Sequence, residues 1–149
     1  MKRIVIIGCG NVGISYLRKL CLTNVSLDIS LIDIDEEKLE GEILDLEQSL
    51  VYQNSNINLK IGSYNDCDNA DIIVITAGPS QSLNDRLSDL NSANEIIVDI
   101  TNKLRNTNFK GIYLVACNPL DVMTELIAHY TDHPYNKVIG TGCMLDTAR

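Results

Sequence analysis

Six residues near the amino terminus, Gly8-Cys9-Gly10-Asn11-Val12-Gly13, make sense together as a turn between a strand and a helix. Before them runs Arg3 to Ile7, a continuous apolar stretch of the kind a strand covered on both faces requires. After them, apolar residues recur at Val12, Tyr16 and Leu20 and at Leu17 and Cys21, which predicts a helix to Leu22. A bare GxGxxG pattern carries little information, but here the flanking strand and helix give it meaning. Gly8 permits the tight turn, and Gly10 puts no side chain in the way of a pyrophosphate. Gly13 lets the helix pack close to the sheet. The first helical residues, Asn11 and Val12, then present free N–H groups and positive partial charge to phosphate oxygens.

The same alternation continues along the chain. Leu27 to Ile32 reads as a second strand ending at Asp33, and Asp35 caps a helix running through Leu39, Ile43, Leu46 and Leu50. Ile57 to Ile61 and Asp71 to Thr76 read as strands three and four. Asn84 to Arg105 reads as a helical stretch broken at Asn91 and Asn94. Ile112 to Ala116 is a strand ended by Asn118-Pro119, Val122 to Tyr130 a helix, and Lys137 to Gly140 a last short strand. Six strands joined by helical crossovers predict one α/β domain over residues 1–149. Its sheet is doubly wound and parallel, in order 3-2-1-4-5-6, with helices on both faces. Ligands of such sheets lie at the carboxyl ends of the strands.

Asp33 follows Gly13 by twenty residues and stands at the end of the second strand. A carboxylate there accepts both hydroxyls of an adenosine ribose and repels a 2′-phosphate, which favours NAD over NADP. Thr76-Ala77-Gly78-Pro79, after the fourth strand, is small enough for the backbone to approach a dinucleotide. Asn118, after the fifth, offers an amide to a substrate oxygen. Bulk properties exclude other classes. The formal charge is −8, with no Lys/Arg cluster, which argues against a nucleic-acid partner. The longest apolar run is far too short to cross a bilayer, and no signal peptide is expected. The five cysteines have no CxxC spacing, so they read as reduced thiols of a cytoplasmic protein, with no metal site.

Four stretches, in order, resemble the lactate/malate dehydrogenase family. They are Ile6 to Gly13, Ser63 to Cys67 running into Ala70 to Gly78, Cys117 to Val122, and Val138 to Arg149. The resemblance spans the chain and implies a Rossmann-type NAD-binding domain of an oxidoreductase that interconverts an L-2-hydroxy acid and its 2-oxo acid. It implies that Val12, Asp33, Lys38 and Tyr64 lie near the adenosine and its phosphates, and that Gly78 and Pro79 form the dinucleotide-contacting turn. Ala116, Cys117 and Asn118 would lie beside the nicotinamide ribose, with Asn118 also touching substrate. Arg86 would polarise the substrate carbonyl from a mobile loop, Asp146 would orient a catalytic histidine, and Arg149 would clamp the substrate carboxylate. Gln81 falls where the family sets specificity and implies a neutral, lactate-like side chain on the acid. The loop before Arg86 is, however, a residue shorter than the common pattern. The stretch Asp132-His133-Pro134 to Arg149 also resembles 2-hydroxyisocaproate dehydrogenases, which take branched acids, and malate is a further candidate.

The family's catalytic histidine lies beyond the position of Arg149, and the two histidines present, His129 and His133, sit in or just after a helix. The expectation is therefore a chain that lacks the substrate domain, binds NAD weakly and turns over no acid by itself. The whole protein would be a cytoplasmic homo-oligomer with a place in glycolysis. The competing reading is a stand-alone NAD-binding module without catalysis. The retained Arg86, Asp146 and Arg149 weigh against it, because a pure dinucleotide binder has no use for a substrate clamp.

Overall fold

Continuous apolar runs dictate the architecture, because a strand built of them must bury both of its faces. In a computed structural model, residues 1–51, 56–79, 86–142 and 147–148 are described, with residues 86–90 described by their backbone alone. Six strands form one sheet: β1 (Lys2–Ile7), β2 (Leu27–Ile32), β3 (Ile57–Ile61), β4 (Ile72–Ile75), β5 (Ile112–Val115) and β6 (Val138–Gly140). Their order is β3-β2-β1-β4-β5-β6 and every pairing is parallel. The fold expected from sequence is the fold observed.

Two cores flank this sheet. Ile4, Ile6, Leu27, Ile29, Leu31 and Val74 face α1 (Asn11–Cys21) and α2 (Glu36–Leu50), meeting Ile14, Leu17, Leu39, Ile43 and Leu46. The alternate residues Val5, Ile7, Ile73, Ile75, Tyr113 and Val115 face α3 (Arg86–Leu104) and α4 (Leu120–Thr131). Cover is uneven on this second face. The crossover from β3 to β4 is a short 3-10 helix, Tyr64–Asn69, which the sequence reading did not foresee.

Two sequence expectations need correction. The helix expected to break at Asn91 and Asn94 runs unbroken as α3. Both asparagines face solvent, while Ala93, Ile97, Ile100 and Leu104 on the opposite stripe are each at most 4% exposed. Asn costs roughly 0.7 kcal/mol in a helix interior, whereas burying one Ile or Leu returns about 1.5–3 kcal/mol, so packing decides. Lys137 belongs to a second 3-10 turn, Tyr135–Lys137, and β6 begins one residue later. Among the described residues no helix is long and apolar enough to cross a membrane, and no cluster of ligating side chains could hold a metal ion.

Candidate functional site

Parallel strands put all their carboxyl ends on one edge. The register aligns Ile7 with Ile32 and Ile75, and Ile75 with Val115. Gly8, Asp33, Thr76 and Ala116, each the first residue past one of these ends, therefore stand in a row along that edge. The glycine turn and the acidic side chain share one crevice.

Backbone bonds lock the row together. Gly8 N–H donates to the Ile32 carbonyl at 2.8 Å, Thr76 N–H to Ile7 at 2.9 Å, and Ala116 N–H to Ile75 at 2.9 Å. The Thr76 hydroxyl donates to the Gly8 carbonyl, and the Cys9 N–H donates to Asp33 Oδ2. Asp33 Oδ1 accepts from the Asp35 N–H at 3.0 Å. The half-buried Asp33 carboxylate is thus fixed by two backbone donors, one on each side. Each oxygen keeps acceptor capacity for a further donor such as a ribose hydroxyl. Asp35 performs the helix-capping task expected of it, accepting from the Lys38 N–H at 3.1 Å.

The three glycines of the turn do different things. Gly8 has φ +90°, and a Cβ there would lie 2.4 Å from the Ala77 nitrogen. A Cβ on Gly13 would lie 2.2 Å from the Gly8 carbonyl oxygen and 2.8 Å from Thr76 Oγ1. These two glycines draw the turn, α1 and the segment after β4 together. Gly10 is different: a Cβ there would meet nothing within 4 Å, and the same is true of Gly78. Space is open above the turn where α1 begins. Gly10 is the N-cap of α1, no side chain caps the helix, and no acidic residue occupies its first turn. Free N–H groups facing an open space form a cradle suited to phosphate. The residues present fit a dinucleotide.

Asn11 and Val12 open α1, both exposed, and Val12 remains 54% exposed. Lys38 lies exposed in the first turn of α2. Tyr64, past the end of β3, is half-buried against the α3-side core, with Lys103 Nζ 5.4 Å from its ring centroid. Burial first, then the charges of Asp99 and Cys67, push its hydroxyl up to about 12, so it stays a neutral donor. Cys117 is buried, and desolvation pushes its thiol up to about 11. Burial, and then Asp33, push the Cys9 thiol up to about 12. Neither is a nucleophile near neutrality. Asn118 is exposed, and its amide meets no hydrogen-bond partner among the described residues. The Asn118–Pro119 bond is cis.

Arg86 is the first residue of α3, with its side chain outside the description. Gln81, Asp146 and Arg149 lie outside the described residues. The histidines fall where the sequence placed them, away from the crevice. His133 Nε2 is 3.0 Å from the Gly111 carbonyl oxygen, before β5, and its ring stacks on Phe109. His129 packs edge-on against Tyr130. Ile34 was missed by the sequence reading. It follows Asp33 directly and is fully exposed, and the signal for it is an apolar residue set between two aspartates at a strand end.

Residues 2–140 match the family model described as lactate/malate dehydrogenase, NAD binding domain. An L-lactate dehydrogenase of Staphylococcus saprophyticus is 41% identical over 149 residues, covering 99% of this chain and 47% of that protein. One of Borrelia turicatae is 38% identical over 150 residues, covering 99% of this chain and 48% of its own. Among solved structures, a minor L-lactate dehydrogenase from Enterococcus mundtii in its ligands-bound form superposes with a TM-score of 0.91 at 34% identity. That match covers 97% of this chain and 46% of the other. The present chain spans about half the length of the curated relatives it matches.

Proposed function

The chain belongs to the lactate/malate dehydrogenase family as its NAD-binding domain, and we propose on that premise that it serves an enzyme interconverting an L-2-hydroxy acid and its 2-oxo acid. The observation that carries this reading is the alignment of Gly8, Asp33, Thr76 and Ala116 on one sheet edge, with open space above Gly10. Bound there, NAD would supply a hydride acceptor or donor at its nicotinamide ring.

In this reading Gly8 shapes the turn, Gly10 leaves the space above it open, and Asn11, Val12 and Gly13 hold the pyrophosphate through backbone N–H groups at the start of α1. Asp33, anchored by the Cys9 and Asp35 amides, accepts the adenosine ribose hydroxyls, with Lys38 and Tyr64 nearby and Ile34 against the base. Thr76, Ala77, Gly78 and Pro79 bring a backbone with small side chains, open at Gly78, to the dinucleotide. Ala116, Cys117 and Asn118 flank the nicotinamide ribose, with the Asn118 amide donating to substrate. Arg149 binds the substrate carboxylate through two parallel hydrogen bonds, and Arg86 stabilises negative charge on the carbonyl oxygen. Asp146 holds a histidine supplied from the remaining half of the enzyme, and that histidine moves the proton. Gln81 leaves room for a neutral substrate side chain, so the relatives' acid, lactate, is the first substrate to test.

The 149-residue chain binds NADH, weakly, and oxidises none of it with pyruvate, oxaloacetate or 2-oxoisocaproate. Calorimetry and the NADH absorbance assay test the two halves of that statement. Absence of binding at saturating NADH removes the cradle assignment, and turnover by the chain alone removes the need for a second half. Joined to the rest of a lactate dehydrogenase, the chain should restore turnover, with pyruvate preferred.

A further inference from the structure

Where the 3-10 crossover replaces a helix, a second cleft opens. It has a volume of about 540 Å³ and lies over β1, β2 and β3 on the α3 side of the sheet. Its floor consists of cross-strand rows. Arg3 is in register with Asp28 and Asp28 with Asn58; one step on, Val5 is in register with Ser30 and Ser30 with Lys60. Asn65, Asp66 and Asn69 of the 3-10 helix form one wall. The dinucleotide crevice, by contrast, lies beyond the carboxyl ends of these strands.

Three features distinguish this floor from an ordinary solvated sheet face. First, Ser30 is only 7% exposed and lines the cleft, yet its hydroxyl has no hydrogen-bond partner among the described residues. Buried hydroxyls are almost always paired. Second, Arg3 and Asp28 are opposite charges on neighbouring strands, but they form no ion pair among the described residues. Asp28 instead accepts from the Asn58 amide through one oxygen. Asp71, just before β4 and outside this lining, is taken up by Lys2 Nζ at 2.7 Å and by the Arg3 N–H at 2.8 Å, with the Arg3 charge adding a smaller attraction. Third, the other charges cancel, because Lys60 pairs with Asp66, which also accepts from the Ser63 N–H. One cation, one anion and one buried hydroxyl are left, with the Asn65 and Asn69 amides beside them.

We propose that this cleft binds a small zwitterion of the α-amino-acid class, its carboxylate at Arg3, its ammonium at Asp28 and its polar side chain among Ser30, Asn65 and Asn69. A polyanion is disfavoured because the lining charges sum to zero, and an apolar ligand because Ser30 and the amides would stay unpaired.

L-Glutamine is the probe, with N-acetyl-L-glutamine lacking the ammonium and L-glutaminamide lacking the carboxylate. Each is titrated into the ¹⁵N-labelled 149-residue chain. The expected result is saturable shifts at the Ser30, Asn65 and Asn69 amides with L-glutamine, and about tenfold weaker binding of either single-charge analogue. Arg3→Gln and Ser30→Ala should each weaken L-glutamine about tenfold while leaving the NADH titration unchanged. The NADH titration also reports that each variant is folded, and Arg3→Gln, at an exposed position, carries the test if Ser30→Ala does not fold. Absence of saturable shifts overturns the proposal. So does equal binding of the three probes, or L-glutamine binding that survives both substitutions.

Discussion

Two glycines two residues apart separate folding from binding. Gly8 sits at φ +90° with backbone 2.4 Å from where a Cβ would be, so Gly8→Ala must move the segment after β4. A strained backbone and a clash together cost at least about 2–3 kcal/mol, and the melting temperature should fall by ten degrees or so. At Gly10 a Cβ would meet no neighbour within 4 Å, so Gly10→Val extends into open space. Its melting temperature should stay within a degree or two of the parent's, while NADH binding is lost because the side chain fills the cradle. Equal destabilisation by the two substitutions in a thermal melt would remove the distinction. Ile34→Asp supplies a third contrast. Ile34 is fully exposed, so the fold should tolerate the change. A second carboxylate beside Asp33 should nevertheless weaken NADH several-fold, read by fluorescence titration. The roles of Gly8, Gly13 and Asp33 were legible because each is tied to backbone geometry that few residues satisfy. Ile34 was not, since single exposed apolar residues are common and only its place at the sheet edge gives it meaning.

At the scale of elements, period was a better guide than propensity. The continuous apolar run of β1 and the stripe Leu39, Ile43, Leu46, Leu50 of α2 are legible because each matches a buried surface, on both faces of the strand and on one side of the helix. In α3 the stripe Ala93, Ile97, Ile100, Leu104 carries the same message and outweighs the helix-disfavouring Asn91 and Asn94. Asn94→Ala replaces an exposed helical Asn that makes no hydrogen bond among the described residues. It should therefore stabilise the chain by about 0.5 kcal/mol, visible as a higher urea midpoint with unchanged slope. A lower midpoint would mean that Asn94 serves the helix in some other way. The 3-10 helix Tyr64–Asn69 was missed although Ser63 and Asp66 stand three residues apart, the spacing at which Asp66 takes the Ser63 N–H at 2.8 Å. Six residues are too few for a periodic signal to emerge.

For the molecule as a whole, the sheet is a shared wall between two cores, and buried thiols lie in both of them. Cys9 belongs to the α1–α2 core and Cys67 and Cys117 to the α3–α4 core. Desolvation by burial dominates all three, raising Cys9 and Cys67 to about 12 and Cys117 to about 11, from 9.0 in open solvent. A thiol whose folded value lies above its unfolded value favours the folded state fully below pH 9. That contribution is lost as pH rises from about 9 towards 11 and 12, since the unfolded chain releases its protons first. Denaturation midpoints should therefore decline steadily above pH 9, and replacing the three thiols by Ala should flatten the decline even though it lowers stability at pH 7 by opening cavities. Because one sheet joins both cores, the loss should appear as a single cooperative transition, with the same midpoint from circular dichroism and from thiol-reagent labelling. Labelling that runs ahead of unfolding would show that one core opens without the other, and the sheet would then not couple the site's two walls.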